Sequence, residues 1–282
     1  METSEHTKRN MEVALPSIAS TINEHIEAIS IHCFGVVHES TSFLDLTQSG
    51  RDRHRSHCRF YLLVLAERYR NNALADIMDL VEKKSDGRHS VTAILQSVKQ
   101  VTSTNDGHRQ FFKGILESGW LVDGKPPSLE ELRLVEIPDV DGESIDSYTS
   151  ARLDVTRDCL SRVGEKSCTL FASHLLRLAL EQLFLGLLYG KLHFRPDHFP
   201  LRYLYHLSNF AVAIPNEVFP KLLFDHQRYG AILSASHSEL RYRGTDLYSM
   251  EDIGVLNQYC QSLLEYLAPL LSTTKTKGNG KR

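Results

Sequence analysis

The sequence predicts an α+β fold, in which a small α/β domain precedes an all-α, up-and-down helical bundle. Two observations support this prediction. Apolar runs rich in β-branched and aromatic residues alternate with helix-spaced segments over residues 1–124. From Ile145 to residue 272 the strand signals disappear, and apolar residues recur at helical spacing. A length of 282 residues also favours two domains over a single core.

Elements of the first domain follow from the length and spacing of its apolar runs. Strands are predicted at ISIHCFG (29–35), HCRFYLLVLAE (57–67) and HSVTAILQSV (89–98), with an edge strand at WLVDG (120–124). One helix should begin near Pro16 and run to Ala28. Another carries Leu74, Ile77, Met78 and Val81 on one face, and a third ends at Gly119.

A polar segment, RDRHRSH (51–57), separates the first two predicted strands. It holds three arginines and two histidines. We expect a solvated hairpin loop here, and the alternative is a local contact with nucleic acid or phosphate.

The second domain follows a connection at residues 125–144, which is rich in proline and acidic residues. The segment CTLFASHLLRLALEQLFLGLLYG (168–190) is apolar on nearly all sides, which is typical of a central bundle helix. A final helix should be capped by Ser249, with Asp252 three residues on. Its apolar stripe comprises Ile253, Leu256, Cys260, Leu263, Leu267 and Leu270. Residues 273–282 are predicted to be a disordered basic tail.

Composition narrows the classes of function. The net charge is −3, with 32 basic and 35 acidic residues, so no global field attracts nucleic acid and any binding requires a local patch. We expect no apolar run to reach the length that spans a bilayer, which is about 20 residues. Five cysteines without regular spacing fit a reducing compartment. The N-terminus METSEHTKRN has no apolar signal core, so we expect a cytoplasmic protein.

Three segments of the second half resemble a HEPN domain. They are FASHLLRLALEQLFLGLLYG (171–190), FRPDHFPLRYLYHL (194–207) and ELRYRGTDLYSMEDIGVLNQYCQSLLEYL (239–267). The last contains an Arg-Tyr pair, Arg241 and Tyr242, then Tyr248 and a capped helix, which is similar to the closing pattern of that family. The resemblance implies a homodimer formed through the bundle.

The first half resembles the minimal nucleotidyltransferase-like domain that is often joined to HEPN in bacterial proteins. The matching segments are IHCFGVVHES (31–40), FYLLVLAE (60–67) and RQFFKGILESGWLVDG (109–124). An active enzyme of that kind has a Gly-Ser turn after its first strand, where backbone amides hold the phosphates of a nucleotide. Two aspartates one residue apart on the next strand then hold divalent ions.

The transferase signature departs from this pattern. Gly35 is present, but Val36 occupies the serine position, and Arg59 and Tyr61 stand where the resemblance places the two aspartates. A guanidinium repels a metal ion, and a phenol is a poor magnesium ligand. We therefore predict that transfer activity is lost and keep Gly35, Arg59 and Tyr61 as candidate nucleotide-binding residues. The alternative is an active enzyme with relocated carboxylates, and only that alternative requires Mg²⁺ with a nucleotide.

HEPN ribonucleases use an arginine followed, after four to six residues, by a histidine. The nearest match is Arg202 and His206, with a gap of three, and these residues share one helical face. A packed helix face is the favoured interpretation, and a ribonuclease using this pair is the alternative. Arg241 and Arg243 are further candidates for anion binding.

Other chemistry finds less support in the sequence. His54, His57 and Cys58, with His32 and Cys33 on the preceding strand, could supply soft metal ligands, but their spacing matches no standard zinc site. No cysteine has an evident general base beside it in sequence, and neither a Walker loop nor a GxSxG motif is present.

These observations predict a non-catalytic protein that binds a nucleotide or RNA and has a regulatory, toxin–antitoxin-related role. A plain interaction scaffold with no ligand is a further alternative.

Overall fold

A computed structural model describes residues 2–45, 51–70, 72–164, 168–234 and 249–272. The chain forms two compact units, Met1–Pro138 and Asp139–Arg282. The first unit combines helices with a four-stranded sheet, whereas the described part of the second is helical. The α+β class is therefore confirmed at this coarse level.

The first unit is built on a mixed sheet with the strand order β3-β2-β1-β4. Strand β1 is antiparallel to β2 and to β4, and β2 is parallel to β3. In chain order the elements are α1 (Glu2–Asn23), β1 (Ala28–Asp45), β2 (Arg51–Ala66), α2 (Ala73–Lys84), β3 (His89–Ser97), α3 (Val98–Ser103), α4 (Asp106–Ser118) and β4 (Trp120–Gly124).

Strand β2 forms the centre of this sheet. Every residue from Phe60 to Ala66 is at most 1% exposed, so both faces of the strand are covered. Burial on both sides is the reason the segment reads as one continuous apolar run. The prediction of strands at 57–67, 89–98 and 120–124 is confirmed by β2, β3 and β4.

Helix α1 differs from the prediction at both of its ends. It begins at Glu2, contains Pro16 within the helix and ends at Asn23, because Ala28 already belongs to β1. A proline inside a helix removes one hydrogen bond. The buried apolar residues on either side of it (Ala14, Leu15, Ile18, Ala19 and Ile22) give the helix the tertiary packing that offsets this loss.

The expectation of a loop at residues 51–57 is wrong. These residues form the first half of β2 and pair with β1 from Glu39↔His57 to Asp45↔Arg51. Pairing with β3 begins only at Cys58, and β4 pairs with β1 only from Ser30 to Cys33. Residues 39–45 and 51–57 therefore form a two-stranded extension, the β-ribbon, whose seven residue pairs span about 20 Å.

The second unit is organised around one apolar helix. Its elements are α5 (Gly142–Ser161), α6 (Thr169–Leu192), α7 (Leu201–Ala211), a 3₁₀ turn (Lys221–Phe224), α8 (Gln227–Ser234) and α9 (Met250–Ser272). Helix α6 packs against α5, α7, α8 and α9. Most of its residues are buried, which explains why its sequence is apolar on nearly all sides.

The expectation that no apolar run reaches membrane-spanning length does not hold for α6. Its 24 residues satisfy that test by length and composition. However, 72% of its apolar window is buried inside the protein, as in the core helix of a bundle. No other helix in the described part of the chain meets the same criteria.

Helix α9 begins where the sequence predicts. The backbone N–H of Asp252 donates to Ser249 Oγ at 3.0 Å, and the Ser249 hydroxyl donates to the Asp252 carboxylate at 2.7 Å. The predicted stripe is buried from Ile253 to Leu267, but Leu271 rather than Leu270 completes it. The division between the two units falls after Pro138, inside the segment 125–144.

Candidate functional site

Gly35 lies within β1 and not in a turn after it. It pairs with Tyr61, and the register shifts between Cys33 and Gly35, which marks a bulge in β1. The strand then continues to Asp45. Gly35 therefore does not lie in a turn of the kind that holds phosphates in an active transferase, because antiparallel pairing with β2 keeps this backbone extended.

Arg59 and Tyr61 lie on one face of β2, as their spacing predicts, and both are buried. Arg59 is 9% exposed and donates a long hydrogen bond of 3.5 Å to Thr92 Oγ1 on β3. The Tyr61 ring packs against Phe34, with 6.1 Å between their centroids, and Phe34 in turn contacts Phe111 of α4. Both candidate residues thus contribute to the packed interior of the first unit.

Arg202 and His206 occupy different environments although they lie one turn apart on α7. The Arg202 side chain is exposed and forms an ion pair with Asp225. His206 is only 5% exposed, and its ring packs against Tyr205. A ribonuclease site requires both groups to face the same substrate, and the ion pair already engages the guanidinium. The other predicted anion-binding residues, Arg241 and Arg243, lie outside the described residues, as do Tyr242 and Tyr248.

The proposed soft-ligand residues are divided by the sheet. His32 and Cys33 are consecutive on β1 and therefore point to opposite faces. Among the residues that the structure describes, no group of three or more His, Cys, Asp or Glu side chains is arranged to hold a metal ion.

One of the cysteines has a histidine beside it in space, on the neighbouring strand. Cys58 Sγ lies 3.1 Å from His38 Nδ1, because these two residues are directly paired across β1 and β2. Sequence reasoning missed this contact because the residues are 20 positions apart. Burial raises the pKa of the Cys58 thiol, so the protonated form is favoured and the pair is suited to a structural hydrogen bond.

An open cleft of about 350 Å³ lies in the first unit. Its lining balances two guanidiniums (Arg109 and Arg133) against two carboxylates (Glu130 and Glu136). Arg109 already bonds to Asp106 at 2.9 Å. The cleft therefore offers no net charge to a ligand.

A group of two arginines and two tyrosines in the second unit has the chemistry of an anion-binding site. This Arg/Tyr cluster comprises Tyr148 and Arg152 on α5, Tyr189 on α6, and Arg195 after α6. Arg152 Cζ lies 4.6 Å from the centroid of the Tyr148 ring. Arg195 Cζ lies 5.5 Å from the same ring and 5.0 Å from that of Tyr189. The two rings are 4.6 Å apart.

Local structure explains how the cluster is assembled. Tyr148 and Arg152 are four residues apart on α5 and so share a helix face. Helix α6 ends at Leu192, where His193 adopts the left-handed conformation (φ 55°) and redirects the chain that carries Arg195. At Gly186, an added Cβ would lie 3.2 Å from the Cβ of Arg152, so α5 and α6 approach closely there.

The Arg/Tyr cluster contains two cationic side chains, Arg152 and Arg195. The Arg152 guanidinium donates to Gln182 Oε1, which orients it without neutralising it. Burial lowers the pKa of nearby His193, which favours its neutral form. Arg195 is exposed, Tyr148 and Arg152 are half-buried and Tyr189 is buried. A guanidinium stacked on a ring keeps its N–H groups in plane for a phosphate, while an accessible ring can stack on a base.

The sequence contained a partial signal for this cluster. The i, i+4 pair of Tyr148 and Arg152 is readable from α5, but the role of Arg195 depends on the turn after α6. Comparison with protein-family models, with curated protein sequences and with solved structures found no match to this chain.

Proposed function

We propose that this chain is a non-catalytic protein that binds nucleotides or single-stranded RNA through the Arg/Tyr cluster of its second unit. The observation that carries the proposal is the position of two guanidiniums over two adjacent tyrosine rings. Guanidiniums bind phosphates with directional, charge-assisted hydrogen bonds, and aromatic rings bind bases with little dependence on sequence. The combination suits a short single strand.

We propose that the chain is not catalytic because its transferase signature is incomplete. Positions 59 and 61 hold arginine and tyrosine where the resemblance places metal-binding aspartates, and both side chains are buried. Neither is placed to hold Mg²⁺ with a nucleotide. By the same resemblance we propose that the first unit is a degenerate nucleotidyltransferase-like domain and the second a HEPN-like bundle. A regulatory, toxin–antitoxin-related role follows from that assignment.

Binding of a fluorescein-labelled single-stranded RNA of about ten nucleotides, measured by fluorescence anisotropy, tests the proposal. We expect Arg195→Gln to weaken binding about tenfold, because a hydrogen bond to a charged group contributes about 1.5–3 kcal/mol. ATP and GTP should raise the unfolding temperature of the wild type without requiring Mg²⁺.

The matched control is Arg157→Gln. Arg157 is an exposed arginine on α5 that pairs with Asp154, so the variant loses the same charge at a different place. It should bind RNA as the wild type does. Equal affinity of wild-type and Arg195→Gln protein would refute the assignment to the Arg/Tyr cluster.

A further inference from the structure

Tyr148 provides the accessible ring of the Arg/Tyr cluster. It is half-buried, whereas Tyr189 is only 6% exposed. The Tyr189 ring lies 4.6 Å from the Tyr148 ring, and the two planes are inclined at 59°. Both guanidiniums also lie over the Tyr148 ring, with Arg152 Cζ at 4.6 Å and Arg195 Cζ at 5.5 Å from its centroid. Three groups therefore surround this ring, and room remains for no more than one base.

The two guanidiniums approach that ring from different segments of the chain. Arg152 lies four residues after Tyr148 on α5, whereas Arg195 follows the left-handed residue at the end of α6. Because both Cζ atoms lie within 5.5 Å of one centroid, a single anionic group beside the ring is within reach of both cations. The cluster is thus suited to one compact anion and not to a row of separated phosphates.

A neutral amide, and not a carboxylate, orients Arg152. Its guanidinium donates to Gln182 Oε1, and the Gln182 amide donates to Glu181 Oε1 at 3.4 Å. Gln182 is 6% exposed, so its amide is held in the packed interior. Within the described residues, the polar contacts of Arg152 are with this amide and the Tyr148 ring. A guanidinium has five N–H donors, so several remain for an anion and the charge of Arg152 is retained.

Terminal and internal phosphates differ in charge and in the number of acceptor atoms. A phosphomonoester carries a charge of about −1.5 to −2 at pH 7 and has three strong acceptor oxygens. Each internal phosphodiester carries a single negative charge. A guanidinium binds phosphate with two parallel hydrogen bonds. Two guanidiniums are therefore matched better by a terminal phosphate than by an internal one, in both charge and acceptors.

We propose that the Arg/Tyr cluster recognises a terminal phosphomonoester, which is the phosphorylated end of a short single-stranded RNA or the phosphate of a nucleoside monophosphate. Arg152 and Arg195 bind the phosphate, and the ring of Tyr148 contacts the one base next to it. This specificity rests on the function proposed above and narrows the ligand of the same site, because internal phosphates then contribute little to the affinity.

Competition for the labelled single-stranded RNA, measured by fluorescence anisotropy with the full chain, tests the proposal. Three unlabelled competitors share one sequence and carry a 5′-phosphate, a 3′-phosphate or no terminal phosphate. For the wild type we expect at least one phosphorylated strand to compete about tenfold better than the strand without a terminal phosphate, because charge-assisted hydrogen bonds add to its affinity. Equal competition by all three strands would overturn the proposal.

Arg195→Gln changes an exposed side chain and should abolish the preference for a phosphorylated end. Arg152→Gln should have the same effect, and circular dichroism reports whether the helical content of that variant is retained. The matched control is again Arg157→Gln, which removes a charge from the exposed surface of α5 and should keep the full preference. A preference that survives in Arg195→Gln contradicts the proposal.

The same titrations separate this specificity from the proposed function. If Arg195→Gln weakens all three competitors by the same factor, the cluster binds RNA through internal phosphates. The proposed function then stands and the terminal specificity is refuted. If Arg195→Gln binds all three strands as the wild type does, both are refuted.

Discussion

At the scale of single residues, the central sheet contains buried polar side chains that sequence patterning does not anticipate. Ser30, His32 and Ser90 are at most 3% exposed, and their side-chain polar atoms have no hydrogen-bond partner among the described residues. Each such group costs about 1–3 kcal/mol of stability. His32 bears the largest consequence because it can also be charged.

The free energy of unfolding should depend on the protonation of His32. Burial lowers the pKa of its imidazole below the ordinary value of 6.5, so the unfolded state takes up a proton more readily than the folded state. The stability that this group contributes is therefore fully present above pH 6.5 and is lost as the pH falls through the lower, folded-state pKa. Urea unfolding between pH 7.5 and pH 5 should show this decline.

His32→Leu should flatten that dependence, because leucine cannot take up a proton in either state. The remaining dependence of the unfolding free energy on pH comes from three other histidines whose pKa values burial also lowers: His89, His193 and His198. A decline of the same size in the wild type and in His32→Leu would contradict the assignment.

At the scale of elements, caps and cross-strand pairs decide where each helix or strand begins and ends. Ser97 and Gln100 form a capping box at α3, and Asn105 accepts from the backbone N–H of His108 at the start of α4. Strand β2 starts at Arg51 because residues 39–45 pair with it. Helix caps involve residues a few positions apart and can be predicted from the sequence. The formation of a polar strand depends on pairing with a partner strand.

Ser249→Ala should destabilise the second unit by about 1 kcal/mol, because the backbone N–H of Asp252 loses its side-chain acceptor. Urea unfolding monitored by circular dichroism measures the change. Ser249→Thr keeps the hydroxyl and should retain most of the stability. Equal losses in both variants would show that the hydroxyl is not the stabilising group.

At the scale of the whole molecule, each unit has its own buried core, and the second unit also exposes large apolar side chains. Phe171 of α6 is 50% exposed and Val155 of α5 is 38% exposed. The predicted homodimer through the bundle would cover apolar side chains of this kind.

The dimer prediction is tested by light scattering coupled to size-exclusion chromatography. We expect a mass of twice 32.0 kDa for the wild type. Phe171→Ser should shift the equilibrium towards the monomer at micromolar concentration. A monomeric wild type at all accessible concentrations would exclude the homodimer.

Much of the architecture could be predicted from the sequence, because burial determines where apolar residues occur along the chain. The run from Phe60 to Ala66 is apolar because both faces of β2 are covered, and α6 is apolar all round because other helices surround it. Ser249 was recognisable because a capping hydroxyl acts within three residues. These sequence patterns depend only on residues that are close to one another in the sequence.

Only the tertiary structure decided the features that join distant residues. Cys58 meets His38, and Arg195 meets Tyr148, through pairing and packing between segments 20 or more positions apart. The sequence predicts a loop at residues 51–57, because this segment carries no hydrophobic period, whereas pairing with β1 makes it part of β2. The sequence by itself therefore determined the α+β class and most of the elements. Long-range pairing determined where the basic and aromatic residues converge.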